Sequence, residues 1–141
     1  MENEIRSGAP PRSKSRSLCK VENAVDLAQI EMRTHNLRQP IVLHGASSVP
    51  KNLVDICNQY GGKLPGTRGV PEEFLARASK MAVCKINVDT DLRIALTGAI
   101  RKVFAESPSE FDPRKYLGPA RDAVREVVKG KVKLFGCAGK A

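Results

Sequence analysis

Tryptophan is absent from this sequence, and aromatic residues make up only 4% of it. Because hydrophobic residues still amount to 41%, a folded core must be built mainly from aliphatic side chains. No apolar run approaches the roughly 20 residues that span a bilayer, and residues 1–16 lack the apolar stretch of a secretory signal. These absences predict a soluble, cytoplasmic protein with no membrane segment.

Cysteine and histidine patterns that would assemble a metal site are missing as well. The cysteines form no C-x-x-C pair, their intervals match no zinc ribbon or finger, and no H-x-D or H-x-x-H pair occurs. We expect each cysteine to pack as a small hydrophobic residue rather than to ligate a metal or form a disulfide. The cysteines are Cys19, Cys57, Cys84 and Cys137, and the histidines are His35 and His44.

Basic residues are in excess, and the net charge of +9 raises nucleic acid as a partner. Residues 1–20 carry five basic and two acidic side chains among Ser, Gly and Pro, which predicts a disordered basic segment. This segment has no aromatic residue for base stacking and no known nucleic-acid-binding module. We therefore favour a solvated tail over a nucleic-acid interface. An anionic ligand such as a sugar phosphate would also suit the basic balance.

Apolar periodicity and turn residues divide the rest of the chain, residues 21–141, into helices and strands. Short continuous apolar runs predict buried strands, while Pro50 suits a first helical turn that Gly61 and Gly62 later end. Pro108 and Pro113 predict a linker before the last helix. The predicted elements, in chain order, are a helix over 21–35, a strand over 40–43, helices over 50–60 and 71–81, a strand over 82–88, and helices over 91–105 and 119–129.

This order of elements predicts an α/β fold whose two strands run parallel and are joined by helical crossovers. We expect Ser47 or Ser48 to cap the helix over 50–60, and Asp91 to cap the helix after the second strand. Two strands alone do not make a stable sheet. Either further strands lack a clear sequence signal, or the chain is part of a larger domain. We favour the second interpretation.

Polar residues follow both predicted strands, where parallel α/β folds collect their functional groups. We expect His44 and Asn87 to lie at the same edge of the sheet, with their side chains facing a common cavity. His44 is followed by Gly45 and two serines, a pattern that can ligate a metal while N–H groups and hydroxyls bind phosphate beside it. Asn87, Asp89 and Thr90 could hold a hydroxylated, phosphorylated ligand. The alternatives are a structural core histidine and ordinary turn and cap chemistry, which are more common for such residues.

Four segments in order along the chain resemble class II, zinc-dependent fructose-bisphosphate aldolases. The run Ile41 to Pro50 looks like the family's seventh-strand segment, and the run Cys84 to Arg93 looks like its eighth-strand signature. The loop over 61–66 and 69–71, and the segment over 111–120, are similar to the following loop and the C-terminal region. The resemblance extends from about residue 40 to residue 141, and residues 1–20 match nothing in it.

This resemblance implies the C-terminal portion of a (β/α)8 TIM barrel: its last two strands and the helices after them, incomplete alone. It implies an aldehyde-lyase of glycolysis, gluconeogenesis or the Calvin cycle that cleaves fructose 1,6-bisphosphate to dihydroxyacetone phosphate and glyceraldehyde 3-phosphate. A tagatose-bisphosphate aldolase is the near alternative. It also implies a homo-oligomer, Zn²⁺ as cofactor, and a monovalent cation near the phosphate pocket.

The resemblance assigns roles to individual residues. His44 would be one of three zinc-ligating histidines, and Asn87 would hydrogen-bond the enediolate intermediate as the catalytic residue. Arg93 would reach the second phosphate across a subunit interface. The implied substrate-binding residues are Gly45, Ser47, Asn87, Val88, Asp89, Thr90 and Arg93, with Gly45, Ser47, Asp89 and Thr90 around the phosphate of dihydroxyacetone phosphate.

The chain also departs from the family pattern. The family's N-terminal half supplies the Asp general acid/base and two further histidines, whereas His35 lies in the helix predicted before the first strand and is expected at the surface. Three readings stay open: an aldolase portion that is active only with the missing half, an inert remnant that docks on an intact aldolase or does nothing, and a nucleic-acid-binding protein. We expect the chain alone to lack aldolase activity.

Overall fold

The computed structural model describes residues 41–66, 69–81 and 83–140, together with the backbone of Cys19–Lys20. The predicted helix over 21–35, and with it His35, lies outside the described residues, as does the predicted disorder of residues 1–18. The strands are β1 (Cys19–Lys20), β2 (Ile41–His44) and β3 (Val83–Ile86). The helices are α1 (Lys51–Gln59), α2 (Glu72–Ala78), α3 (Thr90–Glu106) and α4 (Pro113–Leu134).

The three strands form one parallel sheet in the order β1-β2-β3. The prediction that the two longer strands are parallel neighbours is confirmed, with Leu43 opposite Ile86. Helices α1 and α2 make the crossover between them. The short strand β1 was not predicted, and its residues had been assigned to the disordered segment. Cys19 and Lys20 instead pair with Leu43 and His44, so that assignment is wrong for these two residues.

Helix α4 begins six residues before the predicted start at Pro119 and runs on to Leu134. The Asp112 side chain accepts a 2.9 Å hydrogen bond from the Arg114 N–H, and Pro113 occupies the first turn, where no N–H is needed. Pro119 lies inside the helix at a cost of about 3 kcal/mol. Packing against α3, including Phe104 on Tyr116 at a ring-centroid distance of 4.9 Å, offsets that cost.

The core is aliphatic, as the scarcity of aromatic residues predicts. One cluster lies against the sheet and α2, and a second joins α1 to α3 through Val54, Cys57 and Ile94. Cys57 is buried as expected, but Cys84 and Cys137 are exposed, so the prediction that every cysteine packs as a hydrophobic residue is wrong for these two. The buried members of the first cluster are Leu43, Ala46, Val70, Leu75, Ala78 and Val83. In the described part of the chain, no helix is both long and apolar enough to cross a membrane.

A buried ion pair connects α4 to the start of α3. The carboxylate of Asp91 is fully buried, and the ammonium group of Lys131 lies 2.9 Å from it. Lys131 also contacts Glu72 at the start of α2 at 2.8 Å. One ammonium group therefore meets the first residues of two helices from the last turn of a third.

Electrostatics keep both members of this pair charged. Burial alone would raise the pKa of Asp91, but hydrogen bonds and charge attraction from Lys131, together with the N–H groups of Val49 and Ser48, hold it below its usual 3.8. Burial alone would lower the pKa of Lys131, but its bonds to Glu72 and Asp91 raise it above its usual 10.5. Asp91 thus contributes stability above about pH 4 that is lost in acid, and Lys131 contributes stability that is lost only in strong alkali.

We predict that D91N lowers the free energy of unfolding at pH 7 by about 3 kcal/mol, the lower end of the usual cost of breaking a buried pair, because Glu72 remains as an anion for the buried Lys131 ammonium. The difference between D91N and the unsubstituted chain should shrink as the pH falls below 3.8, where the Asp91 carboxylate takes up a proton. Urea unfolding at a series of pH values measures both effects. D55N is the control, since the Lys51–Asp55 pair is exposed and worth about 0–1 kcal/mol. Equal losses in the two variants would contradict the prediction.

Candidate functional site

The C-terminal ends of β2 and β3 meet at one edge of the sheet because the strands are parallel neighbours. His44 is the last residue of β2, and the Asn87 N–H extends the ladder by donating to the Leu43 carbonyl at 3.0 Å. The two side chains lie side by side, as predicted. His44, Asp89 and Thr90 are exposed at this edge, and the common cavity expected for His44 and Asn87 stays a prediction.

The amide nitrogen of Asn87 lies 3.0 Å from Nδ1 and 3.2 Å from Nε2 of His44. An amide nitrogen can only donate, so a ring nitrogen without a hydrogen is its acceptor, and the tautomer of the imidazole decides which nitrogen that is. The amide of Asn87 therefore lies in contact with the histidine ring at the end of β2.

Ser47 connects the loop after β2 to the start of α3. Its hydroxyl oxygen accepts hydrogen bonds from the N–H groups of Asp89 at 3.2 Å and Thr90 at 3.1 Å. Ser47 therefore caps α3 from outside the helix. The prediction that Ser47 or Ser48 caps the helix over 50–60 is wrong, because the N-cap of α1 is Pro50, without a side-chain bond.

The loop over residues 45–49, here called the site loop, has an unusual backbone. Gly45 has a φ of +65°, and Val49 has a φ of +49°, which is rare for a β-branched residue. On one side of the loop, the Val70 N–H donates to the Ser47 carbonyl at 3.0 Å. A Cβ at Gly69 would lie 2.2 Å from that same carbonyl oxygen, so the close approach requires glycine.

Asp91 forms hydrogen bonds with the site loop on its other side. Its carboxylate accepts from the Val49 N–H at 2.8 Å, and from both the N–H and the hydroxyl of Ser48 at 3.1 Å. Asp91 was predicted only to cap the helix after the second strand. That prediction is wrong, because its side chain bonds the site loop and Lys131 rather than an N–H group of α3.

The remaining predicted residues lie on the same edge. Asp89 and Arg93 form an exposed i,i+4 ion pair, with Nε of Arg93 2.9 Å from the carboxylate. Val88 is half-buried between the two polar positions. The residues brought together are thus His44, Gly45, Ser47, Asn87, Val88, Asp89, Thr90 and Arg93. Sequence reasoning missed the contacts of Lys131 with Ser48 and Asp91, and the only hint of them was Asp91 itself, the second of two aspartates after the strand.

The described residues do not complete a metal site around His44. Across residues 41–66, 69–81 and 83–140, no three His, Cys, Asp or Glu side chains approach closely enough to hold a metal ion. The one side-chain partner that the structure gives the His44 ring is the amide of Asn87, which is not a zinc ligand.

Comparison with known proteins gives the same family as the sequence motifs. Residues 17–140 match the family model for "Fructose-bisphosphate aldolase class-II". Among curated proteins, the fructose-bisphosphate aldolase of Giardia intestinalis is 59% identical over 102 residues, which are 72% of this chain and 32% of that protein. The fructose-bisphosphate aldolase of Treponema pallidum is 53% identical over 116 residues, 82% of this chain and 34% of that protein.

A third relative, the fructose-bisphosphate aldolase of Thermus caldophilus, is 50% identical over 102 residues, 72% of this chain and 33% of that protein. This chain therefore spans about a third of the length of the curated relatives it matches. The family match also starts at residue 17, which is earlier than the motifs around residue 40 had indicated. With nearly its whole length matched, from strand β1 through helix α4, the chain belongs to the class-II fructose-bisphosphate aldolase family.

Proposed function

We propose that this chain contributes the dihydroxyacetone-phosphate side of an aldolase site, in the C-terminal portion of a (β/α)8 barrel. The reaction is cleavage of fructose 1,6-bisphosphate to dihydroxyacetone phosphate and glyceraldehyde 3-phosphate. The single observation that carries the proposal is that Ser47, Asp89 and Thr90 are hydrogen-bonded together beside the His44–Asn87 pair. Parallel strands joined by helices, as in a barrel, support the fold assignment.

The phosphate would bind between the site loop and the first turn of α3. Both lone pairs of the Ser47 hydroxyl accept N–H groups, so its own O–H proton is left to donate to a phosphate oxygen. The 17-residue helix α3 adds the positive end of its dipole. Gly45 has open space where a side chain would stand, which lets its backbone approach the ligand. The Thr90 hydroxyl and Val88 backbone complete the proposed pocket.

Asn87 would orient the reacting carbons. In the cleavage, the C4 hydroxyl loses its proton, the C3–C4 bond breaks, and its electron pair becomes the enediolate of dihydroxyacetone phosphate. An amide N–H donates to the enediolate oxygen without gaining or losing a proton, so Asn87 would stabilise charge as it develops. The contact of this amide with His44, beside the loop proposed to bind the phosphate, supports that role.

The family is generally zinc-dependent, and zinc supplies a Lewis acid that polarises the ketone. We propose His44 as one ligand of a three-histidine site. The described residues bring no second or third ligand to it, and His35 is the only other histidine in the sequence. The residues that the structure describes therefore do not fit a complete zinc site, and the contribution proposed for them is phosphate binding and orientation. A monovalent cation near the phosphate remains part of the proposal.

Arg93 would contact the second phosphate in a neighbouring subunit, as members of the family typically form oligomers. It is exposed, and only its Nε is used by Asp89. Asp89, one helical turn away, thus holds the Arg93 guanidinium at the surface. Tagatose 1,6-bisphosphate, which differs at one hydroxyl, stays the alternative substrate. The lone histidine at the site favours a second candidate, a chain that binds the phosphate but does not turn over substrate.

The phosphate pocket can be tested with the chain as it is. We predict that dihydroxyacetone phosphate shifts the backbone amide NMR signals of Asp89 and Thr90. S47A should weaken this binding by about 10- to 100-fold, since a hydrogen bond to a charged group is worth about 1.5–3 kcal/mol. S109A, in the connection between α3 and α4, is the matched control and should bind like the unsubstituted chain. Equal affinities of S47A and S109A would refute the pocket.

Aldolase activity of the pure chain should be absent. Catalytic zinc normally has three protein ligands, and the missing general acid/base is worth about 10²–10⁴ in rate. A coupled assay for glyceraldehyde 3-phosphate, run with added zinc and with a chelator, measures this. Turnover of fructose 1,6-bisphosphate that the chelator abolishes would show that the chain assembles a complete site by itself.

A further inference from the structure

We infer that Lys131, near the end of helix α4, is a positioning residue that sets the geometry of the site loop through Ser48 and Asp91. What the loop binds rests on the function proposed above. The geometry of the loop, by contrast, follows from the hydrogen bonds of one buried ammonium group.

The ammonium group of Lys131 has every proton engaged. It donates to the Ser48 hydroxyl at 2.7 Å, to Glu72 at 2.8 Å and to the Asp91 carboxylate at 2.9 Å. An ammonium has three donors, so this set uses all of them. Lys131 is only 8% exposed, although lysine is rarely buried unless it is paired. Its three partners belong to the site loop, the start of α2 and the start of α3.

Asp91 relays this contact to the loop backbone. It bonds the consecutive N–H groups of Ser48 and Val49, and Val49 has the left-handed φ of +49°. A β-branched residue keeps such a conformation only where its surroundings enforce it. Two N–H bonds to one buried carboxylate supply that enforcement, and Lys131 holds the carboxylate in place.

The loop in turn fixes Ser47, which is the residue proposed to meet the phosphate. Ser47 lies between the buried Ala46 and Ser48, which is hydrogen-bonded to Asp91. The Ser47 hydroxyl accepts hydrogen bonds from the N–H groups of Asp89 and Thr90. Neither Lys131 nor Asp91 is proposed to touch the ligand. They act on it only by deciding where the Ser47 hydroxyl stands.

A role in stability alone does not account for this arrangement. Apolar residues can often replace a buried ion pair without loss of stability. An apolar side chain at position 91, however, could not bond the Ser48 and Val49 N–H groups. The Asp91–Lys131 pair therefore fixes the backbone of the loop by hydrogen bonds, whereas an apolar pair could contribute only buried surface.

The test uses the full chain and compares K131M with K129M and K131R. K129M makes the same substitution on the same helix, but the side chain of Lys129 is exposed and, among the described residues, pairs with Glu126. Amide hydrogen exchange is followed by NMR at each residue, and dihydroxyacetone phosphate is titrated into each variant. Global stability is measured by urea unfolding, so that loop effects are separated from general loosening.

We expect K131M to speed exchange at Ser48, Val49, Asp89 and Thr90 roughly tenfold beyond any change at core amides of α1, because loop amides then open locally. Dihydroxyacetone phosphate should bind K131M about tenfold more weakly, by the loss of one ordered hydrogen-bond donor. K131R keeps the charge and should recover part of both effects, while K129M should match the unsubstituted chain.

Uniform acceleration across core and loop, or identical exchange in K131M and K129M, would overturn the inference. If K131M does not fold, S48A carries the test, since it removes the hydroxyl that Lys131 and Asp91 share while deleting one atom. Unchanged exchange at Asp89 and Thr90 in S48A would equally overturn it. If the unsubstituted chain binds no dihydroxyacetone phosphate, the proposed function fails, but the exchange pattern still decides whether Lys131 positions the loop.

Discussion

A single buried ammonium, that of Lys131, is the contact on which the arrangement of the site edge depends. It joins α4 to the first residues of α2 and α3 and to the loop that follows β2. Breaking a buried pair costs about 3–5 kcal/mol, against a total stability of about 5–15 kcal/mol for an ordinary domain. Helix α4 therefore fixes the geometry of residues more than 80 positions earlier in the chain. The free energy of this contact is a large fraction of the total stability of such a domain.

Apolar runs and turn residues were sufficient to predict most of the helices and strands. The two longer strands were predictable because each is a short, mostly apolar run bounded by turn residues, although Cys84 and Lys85 of β3 are exposed. Helix α4 was placed six residues late because Pro119 is as plausible a first-turn residue as Pro113, and only the Asp112 cap distinguishes them. Strand β1 has two residues, too few to show any periodicity. Its pairing with β2 is fixed by tertiary contacts, which spacing cannot reveal.

The residues at the edge of the sheet could be predicted from the sequence, whereas the contacts that hold the site loop could not. Parallel neighbours must end on the same side, so His44 and Asn87 were expected together. The contacts of Asp91 and Lys131 depend on where α4 packs, and a lysine in an amphipathic helix looks like a surface residue in sequence. The exposed pairs of Lys129 and Arg125 on the same helix show how similar the pattern is. Lys131 differs from these exposed residues in being buried in the folded structure, which the sequence does not reveal.

The positive φ of Val49 places strain in the site loop, and other contacts must offset that strain. Rotation of Val49 into the right-handed region would relieve about 1–3 kcal/mol, but it would give up the hydrogen bond from the Val49 N–H to a charged carboxylate, worth about 1.5–3 kcal/mol. The backbone of the loop is therefore set by one ionised group rather than by apolar packing. The core around Leu43 and Leu75, in contrast, is held by the close packing of aliphatic side chains.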